Sequence, residues 1–484
     1  MQYRAQVMVV YILAVCMTII DGTMVNVALP SLAREFDVAS TDIEWIAVGY
    51  LLSFAAIIPA AGWLGDRFGT RRVFILALVE FVVASVLCGL SGSLEQLVVL
   101  RVVQGVGGGL LTPIGAAMLY RAFPLEDRAK AAIGVLSVAV VAPAIGPMLG
   151  GILVDQASWR WIFLINGPIG AVALVLAVRW LREQTHERPG RFDVAGFGLS
   201  AFSVSLLLYT LSTAPERGWG SPVTIGMAAI GIAAGALLVV VELRLPEPML
   251  ALRLFRDRLF RTVNIAATTM YAGFFGMIFV LPLYMQTLRG YSAFESGLAQ
   301  APQAFGVFLV ANLFGRRLYR AVGPRRLMTF GGIATAFVTC AYAFAGLDTP
   351  IGAISLLSLV RGLSVGLVFV SLQTAVYART SIADTGRATS LFNAQRQMSY
   401  AAGVALAATV ITARLTAVGG DAAPAADRLQ AYRWGFVACG LIIVPGAVVS
   451  WWIRDDDVAA TRGLVPAAVT TVADGQDAVR SPRA

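Results

Sequence analysis

Fourteen stretches of roughly 20 mostly apolar residues recur along this chain, and no other feature restricts its fold so tightly. A helix rises about 1.5 Å per residue, so each run is long enough to cross a hydrocarbon layer about 30 Å thick. It does so with its backbone hydrogen bonds satisfied internally, which is what such a layer demands. The runs fall at 7–29, 44–63, 73–92, 95–120, 131–154, 160–180, 194–213, 222–242, 262–285, 296–315, 327–346, 350–377, 387–412 and 433–453. They are called spans 1 to 14 below. Hydrophobic residues make up 58% of the chain and charged ones 13%, a balance outside that of soluble domains. The sequence therefore predicts an all-α membrane protein. Span 1 is too long for a secretory signal, contains Asp21 and precedes no small-residue cleavage site, so it reads as an anchor.

The net charge of +9 does not form a nucleic-acid patch, because the arginines are scattered over many loops. They alternate instead. Arg67, Arg71 and Arg72 follow span 2, Arg121, Arg128 and Lys130 follow span 4, and Arg182, Arg188 and Arg191 follow span 6. Arg253, Arg256, Arg258 and Arg261 follow span 8, and Arg316, Arg317, Arg320, Arg325 and Arg326 follow span 10. The loops between are poorer in arginine and hold Glu35, Asp37, Glu95, Asp155 and Asp348. The positive-inside rule then puts both termini in the cytoplasm, with the chain as a multi-pass protein of the cell membrane. Enzyme chemistry has little to stand on. His186 is the only histidine, the four cysteines all lie within spans, and no metal or cofactor site is suggested. Gly105-Val-Gly107-Gly108-Gly109 follows no strand and lacks a Gly-Lys-Ser/Thr ending, so it is not a nucleotide loop.

Two internal echoes organise the chain. Gly69-Thr-Arg71-Arg72 after span 2 matches Gly323-Pro-Arg325-Arg326 after span 10, and Gln104-Gly105 in span 4 matches Arg361-Gly362 in span 12. Both fit if spans 1–6 and 9–14 are related six-helix bundles with spans 7 and 8 inserted between them. The expected division is a first bundle at 1–180, a linker with the inserted pair at 181–260, a second bundle at 261–454, and a disordered cytoplasmic tail at 455–484.

In span 5, Ala142, Gly146 and Gly150 recur every four residues and bare one helix face for close approach. Pro143 and Pro147 remove backbone donors there, so the helix can bend. Buried charge is scarce. The spans hold two acids well away from their ends, Asp21 and Glu80, and three arginines, Arg101, Arg361 and Arg396. Each ionisable group at that depth costs a few kcal/mol and marks a functional candidate. Asp21 lies about 12 Å below the outer end of span 1 and Arg101 about 9 Å below the same surface, so the two can pair. A paired, desolvated carboxyl suits proton coupling, and a static salt bridge between spans 1 and 4 is the plainer alternative. Glu80 reads as a second protonation site, a cation-recognition carboxylate or a hydrogen-bonded packing residue. Arg361 and Arg396 would receive anionic groups or hydrogen-bond unwound carbonyls.

Together these motifs resemble the major facilitator superfamily, in particular its fourteen-span drug:proton antiporters of the quaternary-ammonium and multidrug type. Gly62-Trp-Leu-Gly-Asp66-Arg67-Phe-Gly69-Thr-Arg71-Arg72 is similar to the superfamily's signature between spans 2 and 3. Leu100-Arg101-Val-Val-Gln104-Gly105 resembles its span-4 motif, and Ala142 to Gly151 its antiporter motif. Asp21-Gly-Thr-Met-Val-Asn26-Val-Ala-Leu-Pro30 and Ser158 to Pro168 resemble phrases of the exporters. The resemblance implies a major facilitator fold of two six-helix bundles plus two extra central helices. It implies a gate in which Asp66 caps the start of span 13 near Gly386, with Arg67, Arg71 and Arg72 around it. It also implies a span-5 stripe (Ala142, Gly146, Pro147, Gly150, Gly151) packed against span 10, and a proton path through Asp21, Arg101 and Glu80. Arg320 stands where the echo would place a second Asp66, and Ser296 to Gly315 holds no acid, which weighs against dicationic cargo.

The expected function is proton-coupled efflux of amphiphilic compounds by alternating access. Candidate cargo contacts are Asn26, Tyr50, Phe54, Gln104, Tyr271, Phe274, Phe275, Arg361 and Arg396, the aromatics weighed against simple core or lipid-facing roles. Expected partners are protons, the cargo and membrane lipids, with a membrane fusion protein as a further candidate and a monomer as the expected state. Export of an endogenous lipid or natural product, and proton-linked uptake on the same fold, are the competing readings.

Overall fold

A computed structural model describes residues 2–462 except 39–42, 44, 125–126, 129–130, 132–133, 136–141, 143–144, 147–148, 155, 184–190, 246–247, 382–383 and 421–422. Helix is the only regular structure among the described residues, and thirteen helices are long and apolar enough to cross a membrane. The remaining expected span, 131–154, is described only in part, and Pro143, Pro147 and His186 lie outside the described residues. Helices outrun the apolar runs that announced them. Span 1 is helical over Tyr3–Phe36 and span 13 over Thr385–Ala417, because backbone bonding continues past the last apolar side chain.

Prolines mark the irregularities. Span 2 is broken into Trp45–Ile57 and Ala61–Phe68 by a 3-10 turn containing Pro59. Span 9 (Arg258–Leu283) contains Pro282 and passes into a π turn at Tyr284–Leu288. Span 10 (Ala293–Leu309) contains Pro302 and ends in a π turn at Val310–Gly315.

The first echo is a shared turn. Gly69 and Gly323 both adopt positive φ, +94° and +84°, each closing one helix on a carbonyl four residues back and opening the next. The second is a shared close approach. A β-carbon on Gly105 would collide with span 2 at Ser53, and one on Gly362 with the Gln303 carbonyl of span 10.

Spans 1, 2, 3, 4 and 6 pack among themselves, as do spans 9 to 14, and span 13 crosses to touch span 4 and the Pro59 end of span 2. The inserted pair is peripheral in space. Span 7 (Val194–Arg217) lies on span 2 and span 13 together, with span 8 (Pro222–Arg244) outside it. Only 17% of the apolar window of span 8 is buried, against 61% for span 4 (Leu94–Ala122). The start of the expected disordered tail is a correction. Asp455–Val458 and Ala459–Arg462 form short helices, with Val458 and Thr461 buried and the Arg462 guanidinium donating to the Arg320 carbonyl at 2.9 Å.

Candidate functional site

Five helices of the first bundle converge on Asp21, which is fully buried, as is Arg101. Arg101 donates to Asp21 Oδ2 at 2.7 Å, while Gln104 and Asn166 donate to Oδ1 at 3.0 and 2.8 Å. Arg101 also donates to Gln104 Oε1 at 2.7 Å and to the Ile46 carbonyl at 3.3 Å. The Tyr50 ring covers the guanidinium, 4.1 Å from its carbon to the ring centroid. Behind Asn166, Ser85 accepts at 2.9 Å and donates its own O–H to the Phe163 carbonyl at 2.9 Å. The pairing expected between spans 1 and 4 is therefore present, inside a larger polar network. Nearly every polar atom of the pair is satisfied, which such burial requires.

Sequence reasoning missed Asn166 and Ser85 as members of this network. Neutral polar residues are common in membrane helices, and only the unusual phrase from Ser158 to Pro168 hinted at Asn166. Gln104 and Tyr50, grouped with the cargo contacts, sit instead on the Asp21–Arg101 pair. Phe54 stacks beside Tyr50 at 5.8 Å. Asn26 is exposed. Glu80 stands apart: it is half-buried against the bare Gly107 position of span 4, and its carboxylate oxygens have no side-chain hydrogen-bond partner among the described residues.

In the second bundle Arg361 is buried and donates to Gln303, to Thr339 Oγ1 at 3.3 Å and to the Phe274 carbonyl at 3.2 Å. No carboxylate accompanies it among the described residues. Tyr271, Phe274 and half-buried Phe275 form an aromatic cluster with Phe369, Phe392 and Tyr400. Arg396, on span 13, is half-buried beside that cluster.

The bundles meet at the arginine-rich face. Gly62 and Gly386 approach so closely that a β-carbon on Gly62 would sit 3.2 Å from the Gly386 carbonyl. Asp66 lies beside Gly386 as expected, yet its ion-pair partner is Arg121, at 2.9 Å, with both side chains nearly buried. The expected ring of Arg67, Arg71 and Arg72 around Asp66 is a correction. Arg67 is exposed, and the backbone N–H groups of Arg71 and Arg72 donate to Glu183 at 3.0 and 3.2 Å, tying the start of span 3 to the end of span 6. An acid at a helix N-terminus suits both the free N–H groups and the dipole there. Thr389 donates to the Pro113 carbonyl at 3.2 Å, Arg128 to the Tyr377 carbonyl, and Tyr120 stacks on Tyr377 at 4.5 Å. Burial lowers the Arg128 pKa, an effect opposed by the neighbouring Tyr120 and Tyr377.

The span-5 stripe also departs from expectation. Ala142, Gly146 and Gly150 are buried, but the stripe faces span 1: a β-carbon on Gly146 would collide with Thr23, and one on Gly150 would sit 3.2 Å from the Met24 α-carbon. At Gly146 and Gly150 the bare face thus abuts the turn after Asp21, and span 10 is not among the nearest neighbours of these two glycines. Gly151 has open space beside it.

Two helical bundles meeting at one face, each with a buried arginine network, define a membrane transporter of the two-bundle class. A family model described as Major Facilitator Superfamily matches residues 11–404 and 265–481. The chain belongs to that superfamily. It is 32% identical to the putative multidrug resistance protein MdtD of Cronobacter sakazakii, over 91% of this chain and 93% of that one. It is 32% identical to the methylenomycin A resistance protein of Bacillus subtilis (84% and 87% covered). The multidrug export protein EmrB of Escherichia coli K12 is 31% identical (83% and 79%). The solved structure of the human organic anion transporter MFSD10 shares the fold, with a TM-score of 0.67 at 15% identity, covering 93% of this chain and all of that one. The protein is a multi-pass membrane protein whose relatives include proteins named for multidrug resistance and multidrug export.

Proposed function

We propose that the chain exports amphiphilic compounds in exchange for protons by alternating access. The buried Asp21, held by Arg101, Gln104 and Asn166, is the observation that carries this reading. The carboxyl is held by donors from two other helices, so moving span 1, 4 or 6 relative to the others breaks those hydrogen bonds and exposes the group to exchange. The glycine stripe of span 5 lies against the same part of span 1, so rearrangement of those two helices reaches Asp21 directly. On the positive-inside reading the closed arginine-rich face is cytoplasmic, and this conformation is the one that releases cargo outward and admits protons. Asp21, Arg101 and Gln104 are assigned to proton coupling, with Asn166 added. Asp66, Arg121 and the Gly62–Gly386 contact are assigned to the gate.

The test is proton exchange in proteoliposomes. Amphiphilic dyes added to vesicles holding an imposed pH gradient are expected to collapse it with the wild-type protein and not with Asp21→Asn. Equal collapse by both would overturn the assignment of Asp21.

A further inference from the structure

Arg396 sits where both bundles meet and pairs with no acid among the described residues. Its guanidinium lies near enough to act electrostatically on the tyrosines Tyr11, Tyr120, Tyr271 and Tyr377, contributed by spans 1, 4, 9 and the end of span 12. All four tyrosines are buried, and Tyr120 and Tyr377 are part of the closure at the arginine-rich face. Arg396 itself is only half-buried and makes no hydrogen bond or ion pair with a described residue. Phe392, one turn earlier on span 13, packs on Tyr271 and Tyr377, so the same helix face points into this junction.

The contrast with the other embedded arginines is chemical. Arg101 is neutralised by Asp21, and Arg361 spends its donors on Gln303, Thr339 and a carbonyl. Arg396 makes no such bond among the described residues, and on its own helix Phe392 and Tyr400, one turn to either side, pack on Tyr271 and Tyr377 and on Phe275, with Tyr377 in turn against Tyr120 of the first bundle. An uncompensated cation at membrane depth is costly unless something anionic arrives to meet it. A planar guanidinium among aromatics suits a flat anion, since it pairs with carboxylate or sulfonate in bidentate fashion while the rings take an apolar body.

Resting on the exporter reading, we infer that Arg396 and the surrounding tyrosines form an anion-binding floor, and that the cargo carries an aryl carboxylate or a comparable anionic head. Because the site draws on spans 1, 4, 9, 12 and 13, a bound anion would also bridge the two bundles. An anionic lipid head offers the same chemistry as a soluble aryl acid, so both belong in the test.

The experiment uses matched probes, 1-naphthylacetate and its uncharged amide, titrated against purified protein in phosphatidylcholine nanodiscs. The same pair is scored for collapse of a pH gradient in vesicles. Wild type should bind the acid at least about tenfold more tightly than the amide. Arg396→Gln should weaken acid binding far more than amide binding and so erase that preference, and Arg396→Lys should retain part of it. Competition of 1-naphthylacetate by added phosphatidylglycerol would assign the anion to a lipid, and lack of competition to a soluble compound; either supports an anion floor. Equal binding of acid and amide by wild type, or an equal loss of both in Arg396→Gln, would overturn it. If neutral or cationic probes drive proton exchange and anions do not, the exporter reading survives and this one falls. If no probe moves protons, the exporter reading fails while the binding titration still decides the anion site.

Discussion

Asp21 is a fully buried carboxyl, so the effect of changing it depends on what its three donors are left facing. Asp21→Asn keeps the shape but strands the Arg101 charge, and breaking one side of a buried pair costs about 3–5 kcal/mol. The variant is expected to melt at a lower temperature in detergent than wild type. Adding Arg101→Met, which removes the stranded charge, should recover much of that stability without restoring proton exchange. Such a split separates coupling from simple packing. Asn166→Ala removes one donor from Oδ1 and leaves Ser85 with one partner fewer, a loss of about 1–3 kcal/mol, and should lower exchange with little change in expression. Asp21 and Arg101 were legible in the sequence because charge inside an apolar run stands out. Asn166 was not, since an amide near a helix start has no such contrast and its partner lies far away along the chain.

For whole helices the readable quantity was the face, and the unreadable one was what the face meets. The four-residue recurrence of Ala142, Gly146 and Gly150 announced a bare stripe, and the stripe is buried. Its neighbour is span 1 at Thr23 and Met24, a pairing set by how the bundle closes and therefore invisible in span 5 alone. Gly146→Val should push span 1 away from span 5 at the turn beyond Asp21, at a cost of about 1–3 kcal/mol of overpacking. Transport is expected to be lost while the protein still inserts, as measured by flux alongside size-exclusion behaviour. Gly151→Val, placed in open space, should be tolerated and serves as the control. Proline positions were similarly half-legible. Pro59 and Pro282 lie in or just before helix irregularities, whereas Pro113 and Pro302 sit inside spans 4 and 10 without ending them.

Across the whole molecule, the echoes at Gly69/Gly323 and Gly105/Gly362 carried the two-bundle plan, because each demands the same backbone conformation or close approach twice. The gate was less legible. The arginines nearest Asp66 in sequence attend to Glu183 or to solvent, and its partner Arg121 comes from the far end of span 4. Asp66→Asn is expected to loosen the closed face, read as faster labelling of a cysteine placed at Thr389 by a membrane-impermeant reagent from the arginine-rich side. Cysteines at Gly62 and Gly386, whose backbones nearly touch, should form a disulfide in a background lacking the native cysteines. That bond should arrest transport until it is reduced.

Span 7 rests on span 2 and span 13 at once, so it belongs wholly to neither bundle. Whenever the bundles rock, it must slip along at least one of them. The seam there is mostly apolar, with Leu52, Ala55, Leu208, Leu211, Met398 and Ala401, a weak hydroxyl contact from Ser205 to the Leu52 carbonyl, Trp45 stacked on Tyr209, and Trp219 donating to Thr409 at 2.6 Å just past the end of the helix. Under the alternating-access proposal, a mostly greasy surface with polar latches only near its edge would make the extra helix a bearing for the stroke instead of a brake on it.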